Sequence, residues 1–297
     1  MRVAISGSHG FIGSALIERL TELGHDIVRL VRSVAGPDDI SWDPSAGRLK
    51  ASDLIGVDAV VNLAGAGIGD KRWTEDYKRQ VKESRTTSTG LLSAAIASID
   101  GGPRVLLSGS GVHFYGDRGD EEVDEQSTGG VGFLAEVCRE WEASTAAAEA
   151  AGARVVYLRS GIVLAPGGGA LAKMLPLFKL GLGGRFGSGQ QWMSWISRDD
   201  HVAAIVHLLG SDVAGPVNMT SPHPVRNADF ADTLGDVLRR PTVLPVPSFG
   251  PKLVLGDERA DAMLFDSIRV RPRALQRSGF AFAHPDLTTA LRAQLDR

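Results

Sequence analysis

Three glycines, Gly7, Gly10 and Gly13, stand three residues apart in the run SGSHGFIG, between a short apolar stretch and a helix-like one. Glycine at such a junction does three jobs. It makes a tight turn, lets backbone approach a diphosphate, and lets helix pack closely on strand. The helix N-terminus then offers unpaired N–H groups and a partial positive charge to phosphate oxygens. The run lacks the Gly-Lys-Ser/Thr ending of a triphosphate loop, so the pattern points to a dinucleotide.

The next chemistry-bearing position is Arg32. The second apolar run ends Leu30-Val31-Arg32. A site selective for NAD usually carries Asp or Glu there, to hold the ribose 2′-hydroxyl. Asp26 sits at the start of that run, a strand's length too early. A guanidinium at Arg32 is placed to pair with a 2′-phosphate, a charged hydrogen bond worth roughly 1.5–3 kcal/mol. The expected cofactor is NADP(H).

These residues need a scaffold. Short apolar runs alternate with helix-like stretches, the mark of βαβ units and a parallel sheet. Strands are expected at Arg2–Ser6, Asp26–Val31, Ala59–Asn62, Arg104–Ser108 and Arg154–Leu158. Between the first two, Ile12, Ala15, Leu16, Leu20 and Leu23 share a helical face that Gly24 terminates. Further helices are expected at Thr74–Ala97 and Leu134–Ala151. After Leu164 come two glycine-rich stretches, Ala165–Ala170 and Gly181–Gln190, around a helical segment at Leu171–Lys179. A helix at Val202–Leu209 and a strand at Val217–Met219 return to the core. The fold class expected is α/β: a Rossmann-type, doubly wound parallel sheet with a small C-terminal substrate lobe. The domain reading is 1–164 plus about 196–220 for the dinucleotide-binding core, and about 165–195 plus 221–297 for the lobe.

The 297 residues are 43% hydrophobic and 23% charged, with a net charge of −3, which gives no general affinity for nucleic acid or anionic membranes. The single cysteine, Cys138, rules out an intrachain disulfide and fits a reducing compartment. No apolar run approaches the roughly 20 residues that span a bilayer. The chain opens directly into a fold element, and the expected location is cytoplasmic.

SGSHGFIG also resembles the fingerprint of the extended short-chain dehydrogenases. With Asn62–Gly65 (NLAG), Lys71-Arg72-Trp73, Glu83-Ser84-Arg85, GSGQQWMSWI (187–196) and RPRALQRSGFAF (271–282), nearly the whole chain is similar to a subgroup labelled "epimerase family protein". That subgroup sits within the NAD-dependent epimerase/dehydratase proteins and carries a C-terminal domain of unknown function. The resemblance puts Gly7, Gly10, Phe11, Ile12 and Gly13 on the pyrophosphate and Val31 and Arg32 around the adenosine ribose. It puts Leu63 and Ala64 in the adenine–ribose groove, Gln80 and Arg85 facing the cofactor, and Val163 beside the nicotinamide. A homodimer through core helices is common in the family.

Catalysis in that superfamily resembles a Ser-Tyr-Lys arrangement, with tyrosine and lysine as Tyr-x-x-x-Lys on one helix. Four residues after Tyr77, Tyr115 and Tyr157 stand Val81, Gly119 and Gly161, so no such pair exists here. Set against the family helix, Leu134 stands at the tyrosine and Cys138 at the lysine. The serine position is better kept in Ser108-Gly109-Ser110. Ser110 is the expected partner of a substrate oxygen, with Ser108 as its neighbour, and Tyr115 is the leading substitute acid/base. Against each stands a plainer role: a turn serine bonding local backbone, a tyrosine packed under a loop, a buried small cysteine.

Gln191, Trp192 and Ser194 are candidates for a substrate-pocket wall, and Lys173 for an anion contact. Asp199, Asp200 and His201 are better explained as an acidic helix start, and no metal is expected. Two functions follow. One is an NADP(H)-dependent oxidoreductase or epimerase on a small polar or sugar-like substrate; the other is a catalytically silent NADP(H) sensor.

Overall fold

The computed structural model describes residues 1–32 and 36–296. Its first six strands are β1 (Arg2–Ser6), β2 (Asp26–Val31), β3 (Ile40–Asp43), β4 (Arg48–Leu49), β5 (Ala59–Asn62) and β6 (Val105–Gly111). The eight-stranded sheet runs Gly215–Met219, Arg154–Ser160, β6, β5, β1, β2, β3, β4. β1 pairs in parallel with β2 and β5, β2 with β3, and β5 with β6, while β4 closes the edge antiparallel to β3. Chain order therefore reverses between β1 and β5, and in open α/β sheets ligands bind outside the carboxyl ends of strands at such a switch.

Both faces of the central strands are covered, so they read as continuous apolar runs. All four residues of β5 are buried. Helix α1 (Gly13–Glu22) buries Gly13, Leu16 and Leu20, and Gly24 follows at φ 76°. Helix α2 (Glu75–Ala97) is capped by Thr74, whose side chain accepts from the Tyr77 amide, with Glu75 and Asp76 in its first turn. Leu92 and Ile96 of α2 join Val28, Leu30, Trp42, Val60, Leu106 and Val155 in one apolar cluster.

The helix expected at 134–151 is two helices, α3 (Phe133–Ala143) and α4 (Ala146–Ala150). The break has a local cause. Ser93 of α2 donates its hydroxyl to the Thr145 carbonyl (2.9 Å) and accepts from the Ala148 amide (2.8 Å), while Thr145 bonds back to the Glu142 carbonyl (2.8 Å).

The chain forms two compact units. The first comprises 1–110, 137–158 and 205–217; the second comprises 111–136, 159–204 and 218–297. This division runs differently from the sequence expectation. The chain leaves the first unit where strands end, at Gly111, Arg159 and Asn218, rather than at the glycine-rich stretches. Residues 111–136, read as core, belong to the second unit. That unit has its own core, including Leu164, Leu171, Phe178, Trp195, Phe230, Leu234 and Leu291. Pairs of very short strands stitch it, such as Trp195–Ser197 on Ile162–Leu164. No described helix is long and apolar enough to cross a membrane.

Candidate functional site

The switch point is built from side chains at the ends of β1 and β5. Ser6 donates its hydroxyl to Asn62 Oδ1 (2.5 Å) and accepts from the Leu63 and Ala64 amides (3.1 and 3.2 Å). Asn62 Nδ2 donates to Thr89 of α2 (2.8 Å). Ser6, Asn62 and Thr89 are all fully buried, so the backbone after β5 is held rigidly.

Against this frame sits the glycine loop. Gly7 has φ 67°, and a Cβ there would lie 2.8 Å from the Leu63 carbonyl oxygen. A Cβ on Gly13 would lie 2.2 Å from the Gly7 carbonyl oxygen. The Gly10 amide donates to Gly7 O (2.9 Å), closing the turn. The N-cap position Ile12 supplies no side-chain cap, and the first turn of α1 carries no acidic residue. The Ser14 amide donates to Gly10 O (3.0 Å), and with no side-chain cap and no acidic residue the helix start stays open to a phosphate. Phe11 and Ile12 are half-buried in the loop and Val31 is buried at the end of β2. Arg32 beyond it is exposed, with no hydrogen bond or ion pair to a described residue.

Arg85 lies one layer back, on α2. Its Nη1 donates to the Ala66 and Val81 carbonyls, both at 2.9 Å, and its Cζ lies 5.0 Å from the Trp141 ring centroid. Burial lowers its pKa below the usual arginine range. Leu63 and Ala64 are half-buried beside the loop, whereas Gln80 is exposed on α2.

Taken together, the reversed strand order, bare helix start and exposed guanidinium after β2 agree with what comparison finds. The model of the NAD-dependent epimerase/dehydratase family matches residues 3–220, and that of a domain of unknown function matches 246–294. The chain belongs to the NAD-dependent epimerase/dehydratase family. An epimerase family protein of Mycobacterium tuberculosis is 45% identical over 291 residues, covering 97% of this chain and 96% of that one. The crystal structure of human epimerase family protein SDR39U1 with NADPH is similar at a TM-score of 0.92 and 36% identity, with both chains covered in full. A nucleoside-diphosphate sugar epimerase from Corynebacterium glutamicum is similar at a TM-score of 0.80 and 36% identity, over 99% of this chain and 58% of that one.

Within this epimerase/dehydratase fold, Ser108, Gly109 and Ser110 are strand rather than turn, because β6 runs on to Gly111. Gly109 lacks a side chain where the Trp141 ring lies: a Cβ there would sit 2.7 Å from Trp141 Cζ2. Ser108 is fully buried and makes a long bond to the neighbouring carbonyl (3.4 Å). Ser110 donates its hydroxyl to Glu142 Oε1 at 2.7 Å, and both residues are buried. Glu142 was not singled out in the sequence. Its signal is helical spacing: it stands four residues beyond Cys138 and eight beyond Leu134, the two positions where the dyad is missing.

In the second unit the candidate side chains are engaged by neighbouring groups. Tyr115 is fully buried, donates to Asn218 Oδ1 (2.8 Å) and accepts from Arg159 Nη1 (3.1 Å). Burial, opposed by Arg159, pushes its pKa up to about 12. A hydroxyl so enclosed braces Asn218 and Arg159. Ser194 donates to the Ile268 carbonyl (2.7 Å) and accepts from the Val270 amide (2.9 Å), so its hydroxyl joins chain segments rather than facing a ligand. Gln191 Nε2 is similarly taken up by the Phe186 and Leu264 carbonyls (3.3 and 2.8 Å). The indole N–H of Trp192 donates to Asp120 (3.1 Å), with its ring against Arg226 and Arg269. Val163 is half-buried in the short strand paired with Ile196. Asp200 accepts from the Ala283 and His284 amides (2.8 and 2.9 Å) at the start of the helix Arg198–Leu209.

Proposed function

We propose that this protein binds NADP(H) on the Gly7–Gly13 loop and Arg32, and uses it to oxidise or reduce a small polar, sugar-like substrate. The observation that carries this reading is the bare loop at the strand-order switch, followed after β2 by an exposed guanidinium with no partner among the described residues. A side chain at Gly7 or Gly13 would press on the backbone of the loop or of the turn after β5, so glycine keeps the loop in the tight shape that a diphosphate meets, and Arg32 offers the donors a 2′-phosphate accepts. The NADPH in the human relative's crystal structure supports the same choice. When bound, the cofactor supplies hydride transfer at its nicotinamide. Leu63 and Ala64 border the groove, on backbone fixed by Ser6.

Proton movement falls to Ser110 and Glu142. Ser110 donates to the carboxylate, so its oxygen is oriented to accept a hydrogen bond from a substrate hydroxyl. On oxidation that proton passes to Ser110 while the serine proton moves to Glu142; on reduction it returns. The pair does the work for which the chain has no tyrosine–lysine dyad. Burial of the serine and carboxylate keeps bulk water from competing for the proton.

The missing dyad favours a second reading, a sensor that keeps the cofactor cleft and does no chemistry. One experiment separates them. NADPH and NADH are titrated by tryptophan fluorescence, and cofactor oxidation is then screened against carbonyl compounds and nucleotide sugars. The enzyme reading expects tighter binding of NADPH, and turnover that Glu142→Gln abolishes with NADPH affinity unchanged. Tight NADPH binding without turnover on any substrate would leave the sensor; equal affinity for the two cofactors would remove the role given to Arg32.

A further inference from the structure

We infer that a second copy of this chain docks on an apolar face of the second unit. The face is formed by the end of the helix Gly169–Lys179, the segment 241–247 and the short helix Phe249–Leu255. The inference stands apart from the cofactor reading, since none of these residues belongs to the glycine loop or its strands.

Single apolar side chains on a surface are ordinary; a gathering of them marks a binding face. Among the described residues twelve large apolar side chains are exposed, and eight fall on these segments. The backbone gathers them. The Leu180 and Leu182 amides both donate to the Leu177 carbonyl (3.2 and 2.9 Å), so Leu177, Leu180 and Leu182 share one tight turn at the helix end. Beyond it, residues 184–187 run beside 244–246. The Val246 amide donates to Arg185 O (2.8 Å) and the Gly187 amide to Val246 O (2.9 Å). A Cβ on Gly184 would collide with the Leu244 carbonyl oxygen, and one on Gly181 would lie 3.7 Å from Pro241. This pairing sets Val243 and Leu244 next to the turn that carries Leu180 and Leu182. The Gly250 amide then donates to Pro247 O (3.1 Å) as the chain enters the short helix, on which Phe249 and Leu253 stand one turn apart.

The size of the face fits a partner protein. Each of the eight side chains is between 52% and 80% exposed. At roughly 100 Å² for each, they present on the order of 800 Å² of apolar surface. The largest such patch on a typical monomer is about 300–600 Å², and a stable pair buries about 800 Å² on each partner.

Charge and backbone select the occupant. From Pro241 to Pro251 the chain carries no charged residue, and Lys252 is paired with Asp261 (2.8 Å). The exposed rim has both signs, with Lys179, Arg239 and Arg240 against Asp232, Asp236 and Asp257. A face built for anionic lipid needs an excess of cations. A balanced rim suits a copy of itself, because in a two-fold pair each patch meets its own kind. Pro241, Pro245 and Pro247 have no amide to donate, so the segment is a poor template for an added strand and contact falls to side chains. The core helices offer no rival apolar face. On α2 and α3 the exposed residues include Arg79, Glu83, Arg139 and Glu140, and no large apolar side chain there is exposed.

The test is the mass of the full chain in solution, read by light scattering and by sedimentation equilibrium from about 1 to 100 µM. Wild type should be a dimer over most of that range, as an interface of this size allows. Phe249→Glu and, on a separate segment, Leu180→Glu each place a charge inside the contact. Each should weaken dimerisation by about a hundredfold or more. Both positions are 72% exposed, so melting should match wild type; if one variant fails to fold, the other decides. Arg79→Glu, on the outer face of α2, should dimerise like wild type. A wild-type chain that is monomeric throughout overturns the inference, and so does a dimer that survives both glutamates. A dimer lost in Arg79→Glu and kept in Phe249→Glu also overturns it, and gives the pairing to the core helices. Vesicles of phosphatidylcholine and phosphatidylglycerol test the rival occupant. A monomeric chain that sediments with them, and ceases to in Phe249→Glu, gives the face to a lipid surface instead.

Discussion

In the first unit, Arg32 and Arg85 keep guanidinium donors that no described residue takes up, and no side chain caps the start of α1. In the second, Tyr115 is closed by Asn218 and Arg159, Ser194 by Ile268 and Val270, and Asp200 by Ala283 and His284. Residue types do not separate the two regions, since both bury serines and aromatics. What separates the groups named here is whether their hydrogen bonds are met inside the chain. The contrast is theirs and not the whole unit's, since buried Glu125 Oε2, His201 Nδ1 and Thr220 Oγ1 of the second unit lack a partner among the described residues. A buried group with its hydrogen bonds met stabilises one conformation. A group held in place with donors left over is prepared for something the chain does not supply.

The largest effect should come from filling the open side. In Gly13→Ala a methyl would lie 2.2 Å from the Gly7 carbonyl oxygen, and the loop must move. NADPH affinity should fall by about two orders of magnitude or more, with overpacking costing about 1–3 kcal/mol in melting. Gly24→Ala sharpens the contrast. Gly24 has φ 76° and nothing within 4 Å of its Cβ position, so the change should cost about 1 kcal/mol through the backbone while NADPH binds as before. Equal affinity in the two variants would mean that the loop does not hold the diphosphate.

Next is Arg32→Ala, which removes a donor group without touching the fold. The ratio of NADH to NADPH dissociation constants should drop by about tenfold to a hundredfold, with melting unmoved. A preserved ratio would show that 2′-phosphate recognition lies elsewhere.

On the closed side, Tyr115→Phe should act on stability and not on cofactor. It leaves the Asn218 carbonyl oxygen without its donor, in a buried setting, at a cost of about 1–2 kcal/mol. Turnover, once a substrate is known, should be unchanged. Loss of turnover in a variant that melts like wild type would restore Tyr115 as the proton carrier.

How far the sequence carried these assignments depends on range. β1, β2 and β5 are apolar runs bounded by turn residues, and the structure begins and ends them at the expected residues. The glycine loop is legible because its chemistry is contained in seven consecutive positions. β6 runs three residues further than its apolar signal because Trp141, far along the chain, lies against Gly109. The break between α3 and α4 depends on Ser93, which no helical periodicity announces. The enclosure of Tyr115 is not legible locally because its partner Asn218 is 103 residues away. Glu142 looked like an ordinary helix-face glutamate until the end of β6 brought Ser110 to it. Two-residue strands such as Glu122–Val123 are too short to show a period at all.

The smallest effect concerns a carboxyl of the second unit that faces like charges. Asp266 is half-buried, and burial, with Asp117 and Asp261 nearby, raises its pKa from 3.8 to about 6. The folded chain therefore holds this proton more tightly than the unfolded chain does. Its contribution to stability is fully present below pH 3.8 and is lost as pH rises through about 6. Asp266→Asn cannot ionise and should escape that loss. At pH 7.5 the variant should be more stable by about 1 kcal/mol, a figure reduced for the group's partial exposure, and near pH 3.5 the two proteins should melt together. Asp266 is thus a charge strained by like neighbours rather than satisfied by partners. A stability difference constant from pH 3.5 to 7.5 would mean that the carboxylate is not strained.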